Sequence, residues 1–313
     1  MKKYFALLIS AAAAILPLAA ATPAETDPAD VKMETKTYAL SGFSGLQVGW
    51  TYQVALTQAD HYTVRVEAPD FVVPYLDVKV AGDRLILDVK EMPRDIRKKV
   101  EMVLRHDEIR AWVAMPDLSS LKMSGASRLK ATGEFSAKRF DFKMELSGAS
   151  NLEGLSISAG EAEIQCNGAA KFQLQGDFAD LKMELSGATS GSLDCGDKPI
   201  DETEIQLAGA VKQTLKGSFR GMDLKASGAV NFKLEGSVRD LEASGSGAAK
   251  LDLLGAPADK ADISLSGAAK AEINVLQTLE VGLSGAATCL YKAGPNLRIT
   301  EQTVSRGASL KRL

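Results

Sequence analysis

Five acidic residues recur at nearly constant spacing in the C-terminal half of the chain, and they are the first candidates for chemistry. They are Glu204, Asp223, Glu242, Asp262 and Glu280. If the segments that carry them stack as coils, their carboxylates lie about 5 Å apart, the spacing of neighbouring strands. A strip of like charges attracts a cation, and calcium fits best because it accepts carboxylate oxygens in flexible geometry.

The alternative is that lysines neutralise this strip, and the nearest in sequence register are Lys225, Lys250 and Lys270. No Asp-x-Asp calcium loop accompanies the acidic residues. We therefore favour a solvated surface, predict no metal site and no cofactor, and keep calcium binding as the competing hypothesis.

Serines stand beside recurring glycines, so nucleophilic catalysis has to be considered. The serines are Ser124, Ser147, Ser186, Ser227, Ser246, Ser266 and Ser284. A nucleophilic serine needs a general base within reach, and both histidines, His61 and His106, lie outside the repeats. No Gly-x-Ser-x-Gly elbow is present. We predict that these hydroxyls satisfy backbone groups in stacked turns.

Two shorter motifs are equally poor candidates for catalysis. Ser119 and Lys122 match Ser-x-x-Lys, but the companion motifs of that enzyme class are absent. His106-Asp107 lies in the most charged stretch of the chain, which predicts a solvated loop.

A polysaccharide-cleaving enzyme is the serious alternative, because such enzymes place carboxylates on one face of adjacent coils. The repeats lack an aromatic platform for sugars, since Trp50 and Trp112 both precede them. We predict no catalytic residues.

The residues above belong to a repeat in which a small or polar residue, glycine and alanine recur ten times at steps of 18 to 23 residues. The glycines are Gly125, Gly148, Gly168, Gly187, Gly209, Gly228, Gly247, Gly267, Gly285 and Gly307. The positions two, four and six before the glycine and four and six after it are mostly apolar, as in Leu181, Met183 and Leu185. A spacing of two is the period of a strand, so each unit predicts short strands separated by glycine corners.

Such strands bury their apolar faces only by stacking unit on unit, which predicts a solenoid. A left-handed β-helix would show a six-residue period, and no such period occurs. An antiparallel sandwich would need Asn-Gly or Asp-Gly hairpin signals as a regular feature between its strands. The sequence therefore predicts an all-β, right-handed, single-stranded parallel β-helix. Its corner glycines need positive φ or room for the next coil, and the alanine after each is expected in a crowded inner corner.

The N-terminal part divides into three predicted regions. Lys2 and Lys3 precede an apolar run that ends at an Ala-x-Ala site, which predicts a signal peptide over residues 1–21. Residues 22–34 read as a flexible linker, and 35–118 as a β region continuous with the solenoid of 119–313. Within it, residues 91–110 are predicted to form a protruding loop or a short strand pair. No later stretch reaches the about 18 apolar residues that span a bilayer.

The cysteines and the net charge each support one further prediction. The three cysteines, Cys166, Cys195 and Cys289, fall in different columns of the repeat, so we predict buried free thiols without a disulfide. A formal charge of −3 gives no electrostatic reason to expect nucleic acid as a partner.

The motifs resemble a known family of exported proteins. A Phe-Ser-Gly-Leu-x-Val opening at Phe43–Val48 is followed by Met-Ser-Gly-Ala at 123–126 and by Leu-Ser-Gly-Ala at Leu146, Leu185, Leu265 and Leu283. This combination resembles the putative auto-transporter adhesin, head GIN domain family. The resemblance implies a β-helix with no established activity and transfers no functional residues.

Together these observations predict an exported, non-enzymatic interaction or adhesion module of the cell envelope. Its location is the periplasm, the outer surface or the medium, and its ligand is an envelope or extracellular protein or glycan. The alternatives are a polysaccharide-active enzyme and a passive structural spacer.

Overall fold

The computed structural model describes residues 31–103, 109–137 and 141–313, and residues 32–313 form one compact unit. The predicted signal peptide, most of the predicted linker, and the His106-Asp107 pair lie outside the described residues. No helix in the described ranges has the length and apolar character needed to cross a membrane.

In its described residues, the N-terminal region contains seven strands, one α-helix and a short 3₁₀ helix at Val73–Tyr75. They are β1 (Met33–Tyr38), β2 (Gly45–Val48), β3 (Gln53–Gln58), β4 (Thr63–Pro69), β5 (Leu76–Ala81), β6 (Arg84–Val89), α1 (Arg94–Val103) and β7 (Arg110–Met115).

The repeat region consists entirely of strands and corners in its described part. The strands are β8 (Ser120–Met123), β9 (Arg128–Thr132), β10 (Glu134–Ser136), β11 (Phe142–Leu146), β12 (Asn151–Ser158), β13 (Glu161–Cys166), β14 (Lys171–Asp177), β15 (Asp180–Leu185), β16 (Ser190–Gly209), β17 (Lys212–Gly228), β18 (Asn231–Gly247), β19 (Lys250–Leu265), β20 (Lys270–Leu283), β21 (Thr288–Ala293), β22 (Arg298–Val304) and β23 (Ser309–Arg312).

Each repeat strand pairs in parallel with the strand one coil further along the chain. Leu146 lies opposite Cys166, which lies opposite Leu185, and the two-residue alternation turns all three side chains into the core. The predicted parallel β-helix is therefore confirmed. Its core is one continuous stack of apolar columns, because a strand of a single coil has too little apolar surface to bury alone.

The corners are built by the repeated glycines, all ten of which have positive φ. At Gly228, with φ of 92°, a Cβ atom would lie 2.8 Å from the carbonyl oxygen of Gly209 in the preceding coil. That oxygen accepts a hydrogen bond from the Ala229 amide at 2.8 Å, so the corners stack backbone on backbone. A side chain at this position would separate the coils.

The expected place of the alanine after each glycine is wrong. These alanines, such as Ala229 and Ala248, are exposed at the tip of the turn. The residue that follows points inward and is buried, as Val230 and Ala249 show. The physical reason is that glycine and alanine together form the outward bend, so the small residue required inside the corner comes one position later.

The N-terminal region supplies the first coils in an order that differs from the chain order. β2 lies between β6 and β8, and β3 lies between β7 and β9, all in parallel. The coil that contains β6 and β7 is therefore nearer the end of the stack than the coil of β2 and β3, although β6 and β7 come later in the sequence. Antiparallel strands then cover that end of the stack, with β5 on β6, β4 on β7 and β1 on β4.

The prediction of a loop or strand pair over residues 91–110 is wrong, because Arg94–Val103 is the helix α1. Met92, Ile96 and Val100 recur every four residues and pack on the core from one side. The stretch is amphipathic with the helical period, and its many charged residues face solvent.

Candidate functional site

The five acidic residues named above form one in-register column on the outside of the solenoid. Glu204 pairs with Asp223, Asp223 with Glu242, Glu242 with Asp262, and Asp262 with Glu280 on successive strands. We call these residues the acidic column. They border a shallow groove of about 690 Å³.

Counter-charges on the acidic column come from its own face of the solenoid. Lys225 contacts Asp223 at 2.5 Å, and Lys182 contacts Glu204 at 3.8 Å. The expectation that Lys250 and Lys270 also neutralise the column is wrong, because they follow the glycine corner and lie opposite each other on the next face. Lys270 instead pairs with Glu272 at 2.6 Å. Among the described residues no group of three or more His, Cys, Asp or Glu side chains is arranged to hold a metal ion.

The repeated serines hold neighbouring corners together. The hydroxyl of Ser147 donates to the Met123 carbonyl at 3.2 Å. The hydroxyls of Ser186 and Ser227 reach the carbonyls of Cys166 and Leu207 at 3.5 Å. Each of these three bonds reaches back to the preceding coil, which is the structural role predicted for the serines.

The residues of the other candidate motifs contact different partners and do not form a shared site. Ser119 is hydrogen-bonded to Ser44, with 3.0 Å between the two hydroxyl oxygens, whereas Lys122 forms an ion pair with Glu145 at 2.7 Å. His61 is exposed and contacts the carboxylate of Asp60 at 3.1 Å. Neither arrangement places a base on a serine hydroxyl.

The three cysteines are free and fully buried. Cys166 belongs to the column of Leu146 and Leu185, and Cys289 lies opposite Ala271 on another face. Burial raises the pKa of each thiol to about 12, so the thiolate is scarce at neutral pH. These thiols are packing groups.

A second groove lies on the outside of the N-terminal coils, and sequence reasoning missed it. Five strands run side by side there, in the order β4, β7, β3, β9 and β12. One row across their outer surface reads Arg65, Trp112, Ala55, Lys130 and Glu153. The next row reads Glu67, Arg110, Gln53, Arg128 and Asn151. We call the hollow between them the indole groove; its volume is about 310 Å³.

The indole groove is positively charged although the whole chain is not. The two rows contain four cations and two carboxylates. One carboxylate, Glu67, contacts Arg110 at 3.4 Å, and the other, Glu153, accepts a hydrogen bond from the Asn151 side chain at 2.9 Å. The guanidinium of Arg65 stacks on the Trp112 ring, 4.0 Å from its centroid. Trp112 is half-buried, and a partly exposed aromatic ring fixed by a cation is a typical component of a ligand site.

Comparison with known proteins gives a family match and several distant structural similarities. The family model described as "Putative auto-transporter adhesin, head GIN domain" matches residues 42–217 and 200–295. A putative adhesin from Parabacteroides merdae is 13% identical, covers 90% of this chain and 96% of its own, and has a TM-score of 0.46. A putative lipid binding protein from Parabacteroides distasonis is 12% identical, with coverage of 90% and 96% and a TM-score of 0.42. No curated protein matches the chain.

Proposed function

The chain belongs to the family described as putative auto-transporter adhesin, head GIN domain, and from this premise we propose that it is an exported, non-enzymatic β-solenoid that binds a ligand at the cell envelope. The observation that carries the proposal is the fixed register of its outward side chains. Because each coil repeats the positions of the one before, the outer faces present continuous rows of polar groups. Extended rows suit recognition of a long or repetitive partner.

The contacts of the candidate nucleophiles support the non-enzymatic part of the proposal. The hydroxyls of Ser147, Ser186 and Ser227 are engaged with backbone carbonyls of neighbouring coils. An activated serine needs instead a base held by a third group, as in known triads.

A binding experiment tests the proposal. Fluorescently labelled protein is added to intact cells and to isolated outer envelope, and retention is measured with and without excess unlabelled protein. We expect saturable retention that the unlabelled protein displaces. Retention that does not saturate, or none at all, would indicate a passive spacer.

The enzyme alternative is tested separately on envelope and extracellular polysaccharides. We expect no increase in reducing ends after long incubation with the purified protein. A steady release that depends on protein concentration would overturn the non-enzymatic assignment.

A further inference from the structure

The indole groove has the dimensions of a single-residue binding site. Ala55 is the central member of its row, and neighbouring strands are about 4.8 Å apart, so the backbones of Trp112 and Lys130 are about 10 Å apart, with a gap between their side chains above Ala55. The alanine side chain is too short to fill this gap. A flat ring a few ångströms thick fits between the indole and the ammonium group.

The indole that forms one wall of this gap is held in place. Arg65 stacks on it from the β4 side, at 4.0 Å from the ring centroid, while Ala55 lies on its β3 side. The strand that bears Trp112 is hydrogen-bonded to both neighbours, which fixes its backbone. A preformed apolar wall binds a ligand face without a large ordering cost.

The opposite wall of the gap is formed by Lys130, which supplies a positive charge. Lys130 is exposed, and in the described part of the chain no carboxylate forms an ion pair with it. Gln53 borders the same hollow from the second row and adds an amide donor that can form a hydrogen bond to an oxygen. A charged donor such as Lys130 binds a carboxylate more strongly than a neutral hydroxyl.

We propose that the indole groove binds an anionic sugar residue, a hexuronic acid or a similar carboxylated unit of a glycan. Its apolar ring face would lie on Trp112, and its carboxylate would meet Lys130. This inference rests on the proposed function and names the ligand class and the site.

Two other classes of partner fit the groove less well. A single strand of nucleic acid needs successive aromatic platforms along a basic channel, and the groove offers one ring. An acidic peptide would satisfy the cations but would leave the indole face without a flat partner. The groove volume of about 310 Å³ matches a site for one small unit.

Calorimetric titration of the purified protein with tri-galacturonate tests the proposal. The methyl-esterified trisaccharide serves as an uncharged ligand of the same shape, and a hexaglutamate peptide and a short oligonucleotide represent the other classes. We expect binding of tri-galacturonate that weakens with added salt, because exposed charges are screened. The methyl ester should bind at least about tenfold more weakly, the loss typical of a hydrogen bond to a charged group.

Three variants locate the site. Trp112→Ala should weaken binding of tri-galacturonate about tenfold or more, and Lys130→Gln by a similar factor. Ala55→Leu, at an exposed position, should abolish binding by filling the gap while leaving the unfolding transition in place. Lys250→Gln is the matched control, because Lys250 is an exposed lysine on the same face of later coils. It should bind as the wild type does.

Equal binding of the ester and the acid would overturn the proposal, and so would full affinity in Lys130→Gln and Ala55→Leu. Tighter binding of the peptide or the oligonucleotide would assign the groove to that class instead. The two proposals can fail separately. If Ala55→Leu abolishes tri-galacturonate binding but cell retention persists, the groove is a sugar site that does not mediate adhesion; if no trisaccharide binds while retention persists, only this inference fails.

Discussion

Replacing a corner glycine tests whether stacked backbone corners hold the solenoid together. In Gly228→Val, a β-branched residue must adopt φ of 92°, a conformation that costs such residues about 1–3 kcal/mol. Its Cβ would also lie 2.8 Å from the Gly209 carbonyl oxygen and 3.1 Å from the Gly209 amide nitrogen. Relieving these contacts moves the corner outward.

Moving the corner outward endangers the hydrogen bonds on both of its sides. The Ala229 amide donates to Gly209 at 2.8 Å, and the Ala248 amide donates to Gly228 at 3.0 Å. Each bond contributes about 1 kcal/mol net. We therefore expect Gly228→Val to lower the free energy of unfolding by at least about 2 kcal/mol, which chemical denaturation with urea measures.

Two matched variants serve as controls. The first places valine at a glycine that has neither positive φ nor a close neighbour, and the second removes a serine hydrogen bond beside the corner. At Gly282, which lies within a strand and lacks positive φ, the nearest atom to an added Cβ is the Ser264 hydroxyl at 3.8 Å. Gly282→Val should therefore change stability by less than about 0.5 kcal/mol or raise it. Ser227→Ala removes one 3.5 Å hydrogen bond and should cost no more than about 1 kcal/mol. If Gly228→Val costs no more than either of these variants, the corner glycines do not hold the special conformation argued above.

The remaining predictions concern buried groups, cations and export. The three buried thiols should resist alkylation at pH 8 and all react once the protein is unfolded without reductant; a count of one would mean a disulfide. Because the folded pKa of each is about 12 against an ordinary value of 9.0, their contribution to stability is complete below pH 9 and is lost as pH rises towards 12, which urea midpoints measured across that range would show. Gln213→Met removes a buried side-chain oxygen that has no partner among the described residues, which costs about 1–3 kcal/mol, and one hydrogen bond from Nε2 to the Thr214 carbonyl at 2.8 Å, which contributes about 1 kcal/mol. The unfolding midpoint should therefore rise, and a lower midpoint would contradict this reasoning. Millimolar calcium should leave the melting temperature unchanged, whereas a rise that disappears in Asp223→Asn/Asp262→Asn would establish the acidic column as a cation site. N-terminal sequencing of exported protein should begin near Thr22, and retention of residues 1–21 would refute cleavage.

The sequence by itself determined the solenoid and the contents of its columns. Every repeat strand pairs with the strand one unit away, so spacing within a unit fixes which residues meet. Two-residue alternation identified the core, and the recurring glycine marked the corner. The acidic column could be predicted from the same spacing, because residues at the same position of successive units must stack on one another.

The details of the corner depended on the path of the backbone. Sequence alone placed the alanine inside, yet the bend carries both glycine and alanine outward and buries the next residue. In the coil of β2 and β3 the position that stacks against Gly125 is occupied by Trp50, with φ of 54°. A repeat search aimed at glycine misses this corner.

Only the tertiary structure decided the N-terminal end and the indole groove. The coil of β6 and β7 stacks before that of β2 and β3, so Trp112 comes to lie beside Ala55, 57 positions earlier in the sequence. Arg65 reaches the same ring through an antiparallel strand. No local period records these neighbours, because they arise from hydrogen bonding between strands that are far apart in sequence. In the repeats, by contrast, the partner always lies one unit away, which is why periodicity alone identified it.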